Sequence, residues 1–391
     1  MKLTAIEPED YTWILWKGFT FCLGLQSDGA VWTSGQSAAL YNAEQRKSIV
    51  TGTMAEQSRT SYTKLLDVLA AVGLGQDDVA HIVENVTAAG LPDYADAAAV
   101  RREIFGDRPI PVTTVAVDRL VRGAALIEIE LHGVRGGGSP FGAVKGWTNT
   151  AVGESHLGTV YVPTLLPLTD DGEVVSPGDP VAQYRYCLDR GEAALASAGL
   201  GVENVVSAQE YVLATERAAL ADLAAVRMER WGRDAAGGTV LMKRLHRDGV
   251  TVAVDVIASR GAKSVVDPGW KRFADLPMVP AVESNGVLYL SALAALDPTT
   301  GELLHPGDLE AQADVVYRQL VDLVRAGGGE PASIRSTIEF CVADRIAEYR
   351  VVAGVRERHL SPPWPASTGD LCSGFPVEGS LIQTTAIAHR V

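Results

Sequence analysis

Two glutamates, Glu128 and Glu130, are the first residues whose type and spacing could do chemistry. They alternate with Ile127, Ile129 and Leu131, so the two acidic side chains lie on one face of a predicted strand and the apolar ones on the other. If the acidic face lines a cleft, burial raises the pKa of Glu130 and makes it a general acid or base near neutral pH. If that face meets water, the pair is only a solvated polar surface. The alternation leaves both interpretations open.

Asp255 is the second candidate for acid–base chemistry. It follows Thr251 and Ala253 on the less apolar face of a predicted strand, 250–257. We therefore treat Glu130 and Asp255 as the candidate catalytic carboxyl groups.

A Ser34-Gly35-Gln36 segment near the first predicted hairpin provides candidate binding groups. A nucleophilic Ser34 would need a neighbouring base, and the sequence shows none, so a hydrogen-bond donor lining a cleft is the preferred interpretation. Tyr11, near a strand predicted over 11–24, could stack on a planar ligand or simply pack in the core.

A threefold repeat positions these residues. Gln57, Gln183 and Gln312 lie 126 and 129 residues apart, and each is followed by a glycine and then a Val-Arg pair at constant spacing. The glycines are Gly73, Gly199 and Gly328, and the arginines are Arg101, Arg227 and Arg356. A period of this length indicates domain duplication. We predict repeat 1 over 1–133, repeat 2 over 147–260 and repeat 3 over 268–391, with the glycine-rich segment 133–146 as a spacer.

Each repeat is predicted as strand, strand, helix, strand, helix, strand. In repeat 1 the spacing of Tyr62, Leu65, Leu66 and Leu69 predicts one buried helix face over 53–72, ended by Gly73. The Asp28-Gly29 pair predicts a hairpin turn. The three repeated arginines are interpreted as solvated or as ion-paired between repeats.

Composition excludes several classes of function. A net charge of −14 with a pI near 5.0 argues against a nucleic-acid partner. No apolar run approaches the ~18 residues of a membrane span, residues 1–13 do not have the pattern of a signal peptide, and the four cysteines are widely spaced. We therefore expect a cytoplasmic protein with a small-molecule partner. The seven histidines show no metal-binding spacing, and no phosphate loop is present, so we expect neither metal nor cofactor.

Four segments of repeat 1 resemble the reactive intermediate deaminase (Rid, or YjgF) family: Val31-Trp32-Thr33-Ser34-Gly35-Gln36, the Gly73 turn, Ile104-Phe105-Gly106 and Ile127-Glu128-Ile129-Glu130. Repeat 3 is similar through Leu288-Tyr289-Leu290-Ser291 and the segments 297–302 and 306–312, and repeat 2 mainly through its register. The resemblance implies a chorismate-mutase-like α+β fold, whose members assemble as trimers with ligand clefts between subunits. From the copy number we infer a covalent pseudo-trimer with a central sheet barrel and outer helices, either monomeric or a low-order homo-oligomer.

The resemblance also implies a function. The protein would be a hydrolase that acts on C=N or C–N bonds and converts enamines and imines to keto acids and ammonia. The family glutamate corresponds to Glu130, with Asp255 and Thr385 in the other repeats, and Ser34, Gly35, Gln36 and Ser291 correspond to cleft-lining positions. The arginine that holds the substrate carboxylate in the family is missing, because its three positions are Val112, Gly237 and Ser367.

Two other functions stay open at this point. The same scaffold could carry a hydrolase or lyase for a small cyclic substrate, of the chorismatase or cyclic-amide ring-opening kind. It could also be a non-catalytic protein that binds a small metabolite.

Overall fold

The computed structural model describes residues 2–143 and 151–390. Residues 144–150, which include the end of the predicted spacer and the predicted start of repeat 2, lie outside the described residues. The domain boundaries therefore stay predictions.

Repeat 1 contains two helices and most of one sheet. Its elements are β1 (Thr4–Ala5), β2 (Gly24–Ser27), β3 (Ala30–Thr33), β4 (Gln36–Ser37), β5 (Leu40–Asn42), β6 (Lys47–Ile49), α1 (Met54–Ala70), β7 (Val79–Thr87), α2 (Tyr94–Phe105), β8 (Val112–Val117), β9 (Arg119–Leu120) and β10 (Ile127–Val134).

Repeats 2 and 3 follow the same order. Repeat 2 contains β11 (Ser139–Ala143), β12 (Ala151–Glu154), β13 (Thr159–Leu165), α3 (Pro180–Ser197), β14 (Val205–Leu213), α4 (Leu220–Trp231), β15 (Ala236–Met242) and β16 (Val252–Ser259). Repeat 3 contains β17 (Lys263–Val266), β18 (Ala281–Ser284), β19 (Val287–Leu290), β20 (Leu293–Ala294), α5 (Leu309–Ala326), β21 (Ile334–Val342), α6 (Val351–His359), β22 (Ala366–Cys372) and β23 (Ile382–His389).

The first helix of each repeat begins and ends as its sequence predicts. Thr53 caps α1 and forms a capping box with Glu56, while Asp179 and Asp308 cap α3 and α5; such caps satisfy the free N–H groups of a first turn. After the helix, Gly73, Gly199 and Gly328 have φ values of 73°, 70° and 81°, a conformation that glycine adopts without a steric penalty.

The repeated glutamine ties each first helix to the last strand. Gln57 donates from Nε2 to the Gly52 carbonyl at 3.0 Å and accepts from the Leu126 backbone N–H at 2.8 Å. Gln183 and Gln312 make the equivalent pairs of bonds in the other repeats. Buried backbone groups need such partners, which explains why this residue recurs.

Each sheet has one common order. It runs from a hairpin through the last strand to the strand after the first helix, and then to a parallel neighbour: β2-β3-β10-β7-β8, β12-β13-β16-β14-β15 and β18-β19-β23-β21-β22. The two helices of a repeat pack together on their own sheet. The arrangement is the α+β fold predicted from the sequence.

Three hydrogen bonds connect the hairpin region of one repeat to the parallel edge strand of another. The Ser367 N–H donates to Ser34 Oγ at 2.8 Å, linking repeats 1 and 3. The Gly237 N–H donates to Ser291 Oγ at 2.9 Å at the equivalent positions of repeats 2 and 3. Between repeats 1 and 2 the Thr114 N–H donates to Thr164 Oγ1 at 2.8 Å, at neighbouring rather than equivalent positions.

The three sheets surround a cavity of about 120 Å³. Equivalent residues of β7, β14 and β21 line it in layers: His81, Ser207 and Ser336; Val83, Gln209 and Ile338; Asn85, Tyr211 and Phe340. Among the described residues the sheets do not join into one closed hydrogen-bonded barrel. The predicted barrel is instead three sheets that join only locally, through the pairing of β9 in repeat 1 with β22 in repeat 3 and through isolated bridges such as Leu241–Gly374.

Two local predictions were wrong. Most of the strand predicted over 11–24 is irregular, and the hairpin begins only at Gly24. Ser139–Ala143, predicted as spacer, pairs with β12 as the edge strand of the second sheet. Glycine-rich sequence does not exclude an edge strand, where pairing is needed on one side only.

No helix in the described part of the chain is long and apolar enough to cross a membrane.

Candidate active site

A cleft of about 370 Å³ lies between repeats 1 and 3; we call it the first cleft. Repeat 1 contributes the β4 hairpin, one residue of α1 and one of β10, and repeat 3 contributes β22 and the chain at the start of α6. The residues used below are Gly35, Lys64, Arg122, Glu128, Arg350 and Ser367, all of which line it.

Ser34 holds the two repeats together rather than facing the cleft. Its hydroxyl donates to the Cys22 carbonyl at 2.5 Å and accepts from the Ser367 N–H, and the residue is fully buried. Because both functions of the hydroxyl are occupied, Ser34 is poorly placed to act as a nucleophile or to bind a ligand.

Gly35 and Gln36 both line the cleft. The Gly35 N–H donates to Thr368 Oγ1 of repeat 3 at 3.1 Å. Gln36 Oε1 accepts from the Tyr11 hydroxyl at 3.2 Å, and Tyr11 itself is 7% exposed. The structure thus gives Tyr11 the core position that the sequence left open, where it orients Gln36.

Glu128, rather than Glu130, reaches the cleft. The two side chains share one face of β10 as predicted, but only Glu128 is part of the wall. A Cβ atom on Gly35 would lie 2.4 Å from Glu128 Oε1 and 2.8 Å from Thr368 Oγ1. The close approach of Glu128 to the hairpin therefore requires glycine at position 35.

Burial raises the pKa of Glu128 to about 7. The negative charge of Glu130 raises it further, while Lys64 and Arg122 oppose the shift. A carboxyl group with this pKa is present in both protonation states at neutral pH, as general acid–base catalysis requires.

Glu130 and Asp370 form a buried acidic pair behind Glu128. Burial raises the pKa of Glu130 to about 7, against hydrogen bonds from Thr368 and Asn85. Asp370 has no exposed surface, and neither of its carboxyl oxygens has a hydrogen-bond partner within residues 2–143 and 151–390. Burial and the two glutamates hold its pKa well above the ordinary range. Protons shared within this cluster lower the cost of burying three acidic groups together.

Lys64 is a buried cation of the first cleft that the sequence did not reveal. Its ammonium donates to the carbonyls of Ser37 at 2.7 Å and Ala39 at 3.1 Å. Burial lowers its pKa to about 8, and the charge of Glu128 partly restores it. A single lysine on the buried face of a helix was the available signal, because lysine is rarely buried without a partner.

The exposed Arg122 and Arg350 supply further positive charge to the first cleft. Ser367, the position where the resemblance implies an arginine, also lines it. Guanidinium groups are therefore present in the wall, but on other elements than the family pattern predicts.

Asp255 lies at a different interface. Its carboxyl Oδ1 accepts from Thr164 Oγ1 at 2.5 Å, and it lines the central cavity. Burial raises its pKa to about 7, opposed by hydrogen bonds from Thr164 and Tyr211. The structure does not bring Asp255 and Glu130 into one cleft.

Ser291 repeats the role of Ser34. Its hydroxyl donates to the Val279 carbonyl at 2.5 Å and accepts from the Gly237 N–H at 2.9 Å. It is fully buried between repeats 2 and 3, so it positions the hairpin there.

The repeated arginines are buried, which corrects their interpretation as solvated or inter-repeat residues. Each pairs with a glutamate of its own repeat: Arg101 with Glu84, Arg227 with Glu210 and Arg356 with Glu339, at 2.5, 3.1 and 2.7 Å. A tyrosine of the first helix donates to the same glutamate: Tyr62, Tyr184 and Tyr317. These networks satisfy the buried charges and belong to the framework shared by all repeats.

Part of the chain is similar to proteins of one known family. The fold is an α+β unit repeated three times, and residues 20–134 match the family model described as Endoribonuclease L-PSP. Reactive Intermediate Deaminase A, a chloroplastic protein of Arabidopsis thaliana, is 24% identical over 144 residues, which cover 37% of this chain and 75% of the relative. In its first repeat the chain is therefore similar to the Rid family.

Two solved structures illustrate the likeness. RidA from an Antarctic Psychrobacter species is 23% identical, covering 28% of this chain and 86% of that chain, with a TM-score of 0.26. TdcF of E. coli with bound serine is 23% identical, covering 34% of this chain and 98% of that chain, with a TM-score of 0.29.

Proposed function

We propose that this protein hydrolyses imines or enamines of a small metabolite in the first cleft and releases ammonia. One observation carries the proposal: Glu128, with a pKa near 7, lines a cleft of about 370 Å³ that also contains the buried Lys64. The family match of residues 20–134 supports the same reaction class.

The reaction needs one proton donor and one proton acceptor. Protonated Glu128 donates to the imine nitrogen, which makes the carbon electrophilic. Glu128 carboxylate then accepts a proton as water adds to that carbon. Glu128 then returns this proton to the amino nitrogen of the tetrahedral adduct. The C–N bond breaks as the hydroxyl proton passes to Glu128, which gives a carbonyl compound and ammonia and restores protonated Glu128. An enamine enters the same sequence after a proton is added at its β-carbon. A carboxyl group that titrates near 7 suits both directions of transfer.

A carboxylate on the substrate would be held by Arg122 and Arg350 in this proposal. Both line the first cleft, whereas Arg356 is already paired with Glu339. Guanidinium groups recognise carboxylates through paired N–H donors. The change of position would compensate for Ser367, which replaces the expected arginine.

We also propose that the three repeats form a covalent pseudo-trimer. Three hydrogen bonds between repeats support it, because they connect repeats 1 with 3, 1 with 2, and 2 with 3 in one cyclic pattern.

The test is ammonia release from imines that an amino-acid oxidase generates in situ, compared with the spontaneous rate. We expect the wild-type protein to accelerate hydrolysis and Glu128→Gln to lose about 100-fold or more in kcat/KM, the usual loss when a general acid–base group is removed. Glu103→Gln is the matched control, because Glu103 is exposed and forms only a surface ion pair with Arg59. Acceleration that persists in Glu128→Gln would contradict the assignment of Glu128.

A binding protein without catalysis is the second candidate, and Ser367 at the arginine position favours it. In that case imines bind to the first cleft, as measured by calorimetry with a stable amide analogue, but no variant or wild-type protein accelerates ammonia release. The cyclic-substrate alternative stays a prediction.

A further inference from the structure

A second cleft, between repeats 2 and 3, has almost the same volume as the first, about 380 Å³. It is built from equivalent positions. Gln383 pairs with Ala294 across the strands as Glu128 pairs with Ser37. Ala292 follows Ser291 as Gly35 follows Ser34.

The second cleft has lost the ionisable groups of the first. Glu128 is replaced by Gln383, and Lys64 by Gln319, whose amide Nε2 donates to the Leu296 carbonyl at 2.7 Å as Lys64 does to its carbonyls. The positions of Arg122 and Arg350 are taken by Val377 and Ala221, both of which line the second cleft. Four charges have thus been exchanged for amide or apolar groups without loss of volume.

The two charged residues that remain in the wall have partners. Glu210 accepts from Arg227 and from Thr239 Oγ1. Arg272 donates to the Leu296 carbonyl at 2.7 Å, and its guanidinium carbon lies 5.0 and 5.2 Å from the ring centres of Trp270 and Phe273. Most of the remaining wall is apolar, with Phe273, Met278 and Phe375 as its largest side chains.

Two buried oxygen atoms in this wall have no hydrogen-bond partner among the described residues. They are Gln383 Oε1 and Ser380 Oγ, on residues that are 7% and 4% exposed. Unpaired buried acceptors are uncommon and costly. Both residues line the second cleft, which is large enough for a small molecule that carries a donor group.

We propose that the second cleft is a binding site for an uncharged, mostly apolar small molecule with a hydrogen-bond donor such as a carboxamide or hydroxyl group. The donor pairs with Gln383 and Ser380, and the apolar part packs on Phe273, Met278 and Phe375. No acid–base chemistry follows there, because an amide stands in place of the carboxyl group. The site does not depend on the reaction proposed for the first cleft.

The test uses cyclohexanecarboxamide and its anionic counterpart cyclohexanecarboxylate, titrated into the full-length protein by calorimetry or ligand-observed NMR. We expect the amide to bind at least about 10-fold more tightly, because the carboxylate loses its hydration without gaining a free cation. Equal affinity, or tighter binding of the carboxylate, would overturn the proposal and indicate that Arg272 governs the site.

Three substitutions locate the binding. Gln383→Leu removes the acceptor and is expected to weaken amide binding about 5-fold, the loss of one hydrogen bond. Gln383→Glu is expected to weaken it about 10-fold, because the bound ligand would remove water from a carboxylate in a mostly apolar wall. Gln45→Glu, on an exposed loop, is the matched control and leaves binding unchanged. If both Gln383 variants fold, as judged by circular dichroism, and bind the amide like the wild type, the second cleft is not the site. These experiments measure binding and not turnover, so their outcome does not depend on whether the first cleft hydrolyses imines.

Discussion

The first and second clefts share one framework and differ in charge. Both lie between a hairpin of one repeat and the edge strand of another, and their volumes are about 370 and 380 Å³. The first contains Glu128 and Lys64, and the second has Gln383 and Gln319 at the same positions. At both positions the first cleft has an ionisable side chain where the second has an amide of similar size.

This difference teaches which parts of the fold are free to change. The buried arginine–glutamate networks and the glutamines at the helix starts are the same in all repeats, because they satisfy buried charges and backbone groups that every repeat contains. The cleft walls carry no such constraint. Chemistry can therefore be present in one copy and absent from another on an unchanged framework.

The interface between repeats 1 and 2 shows a third outcome. Thr164 occupies the position of Gly35, and its hydroxyl contacts both Thr114 and Asp255. Ala253 stands where the first cleft has Glu128. His246 adds a bond from Nε2 to the Thr114 carbonyl at 2.8 Å. Side chains that bond to each other here take the place of a ligand-accessible carboxyl group.

The largest effect on the comparison is expected from Gly35→Ala. The added methyl group would lie 2.4 Å from Glu128 Oε1, so Glu128 must move, and displacement of a catalytic group by about 1 Å costs roughly 100-fold in rate. Ammonia release measures the loss. Gly354→Ala is the control, since that position has open space around it. Unchanged turnover in Gly35→Ala would mean that the position of Glu128 is irrelevant.

The substitution Lys64→Gln places in the first cleft the amide group that Gln319 supplies in the second. Without the lysine charge, which now lowers it, the pKa of Glu128 rises further above about 7. Because more Glu128 is then protonated at a given pH, we expect the alkaline side of the pH–rate profile of kcat/KM to shift upward, by about one unit for each 1.4 kcal/mol of lost interaction. A pH–rate profile identical to that of the wild type would show that the charge of Lys64 does not influence the pKa of Glu128.

The acidic cluster predicts how stability depends on pH. The folded-state pKa of Glu130, about 7, lies above its value in an unfolded chain, about 4.3. The folded protein therefore binds this proton more tightly, so the contribution is fully present below about pH 4.3 and is lost as the pH rises through 7. Between pH 5 and 8, urea denaturation should show the wild type losing about 1–2 kcal/mol more stability than Glu130→Gln. Parallel pH curves for the two proteins would contradict the burial of an ionisable Glu130.

The smallest effect is expected from Arg122→Val, which copies Val377 of the second cleft. Arg122 is exposed, and solvent screens exposed charges. We expect KM for a carboxylate-bearing imine to rise about 3- to 5-fold while kcat stays constant, because ground-state and transition-state binding are lost equally. The same loss for an uncharged imine would show that Arg122 does not recognise a carboxylate.

Local structure followed closely from the sequence. The end of α1, the Asp28-Gly29 turn, with φ values of 48° and 82°, and the single acidic face of β10 each depend on neighbouring residues only. These features respond to propensity and spacing, which the sequence displays directly.

What the sequence did not determine depends on contacts between distant residues. Alternation placed Glu128 and Glu130 on one face of the strand. Which of the two side chains reaches the cleft depends on neighbours such as Thr368, which is more than 230 residues away. Arg101 was predicted to be solvated or ion-paired between repeats, because its pairing with Glu84 appears only when α2 and β7 come together within repeat 1. The sequence did not indicate that Asp370 belongs to the acidic cluster, because its neighbours there come from another repeat.

The hydrogen bond between Ser34 and Ser367 joins residues 333 positions apart. During synthesis, a chain grows from its N-terminus and its domains fold in that order, so the wall of the first cleft supplied by β22 arrives last. Repeats 1 and 2 can complete their own cores while Glu128 still lacks its opposite wall. A truncated chain that ends before β22 would then carry Glu128 without the opposite wall of the first cleft.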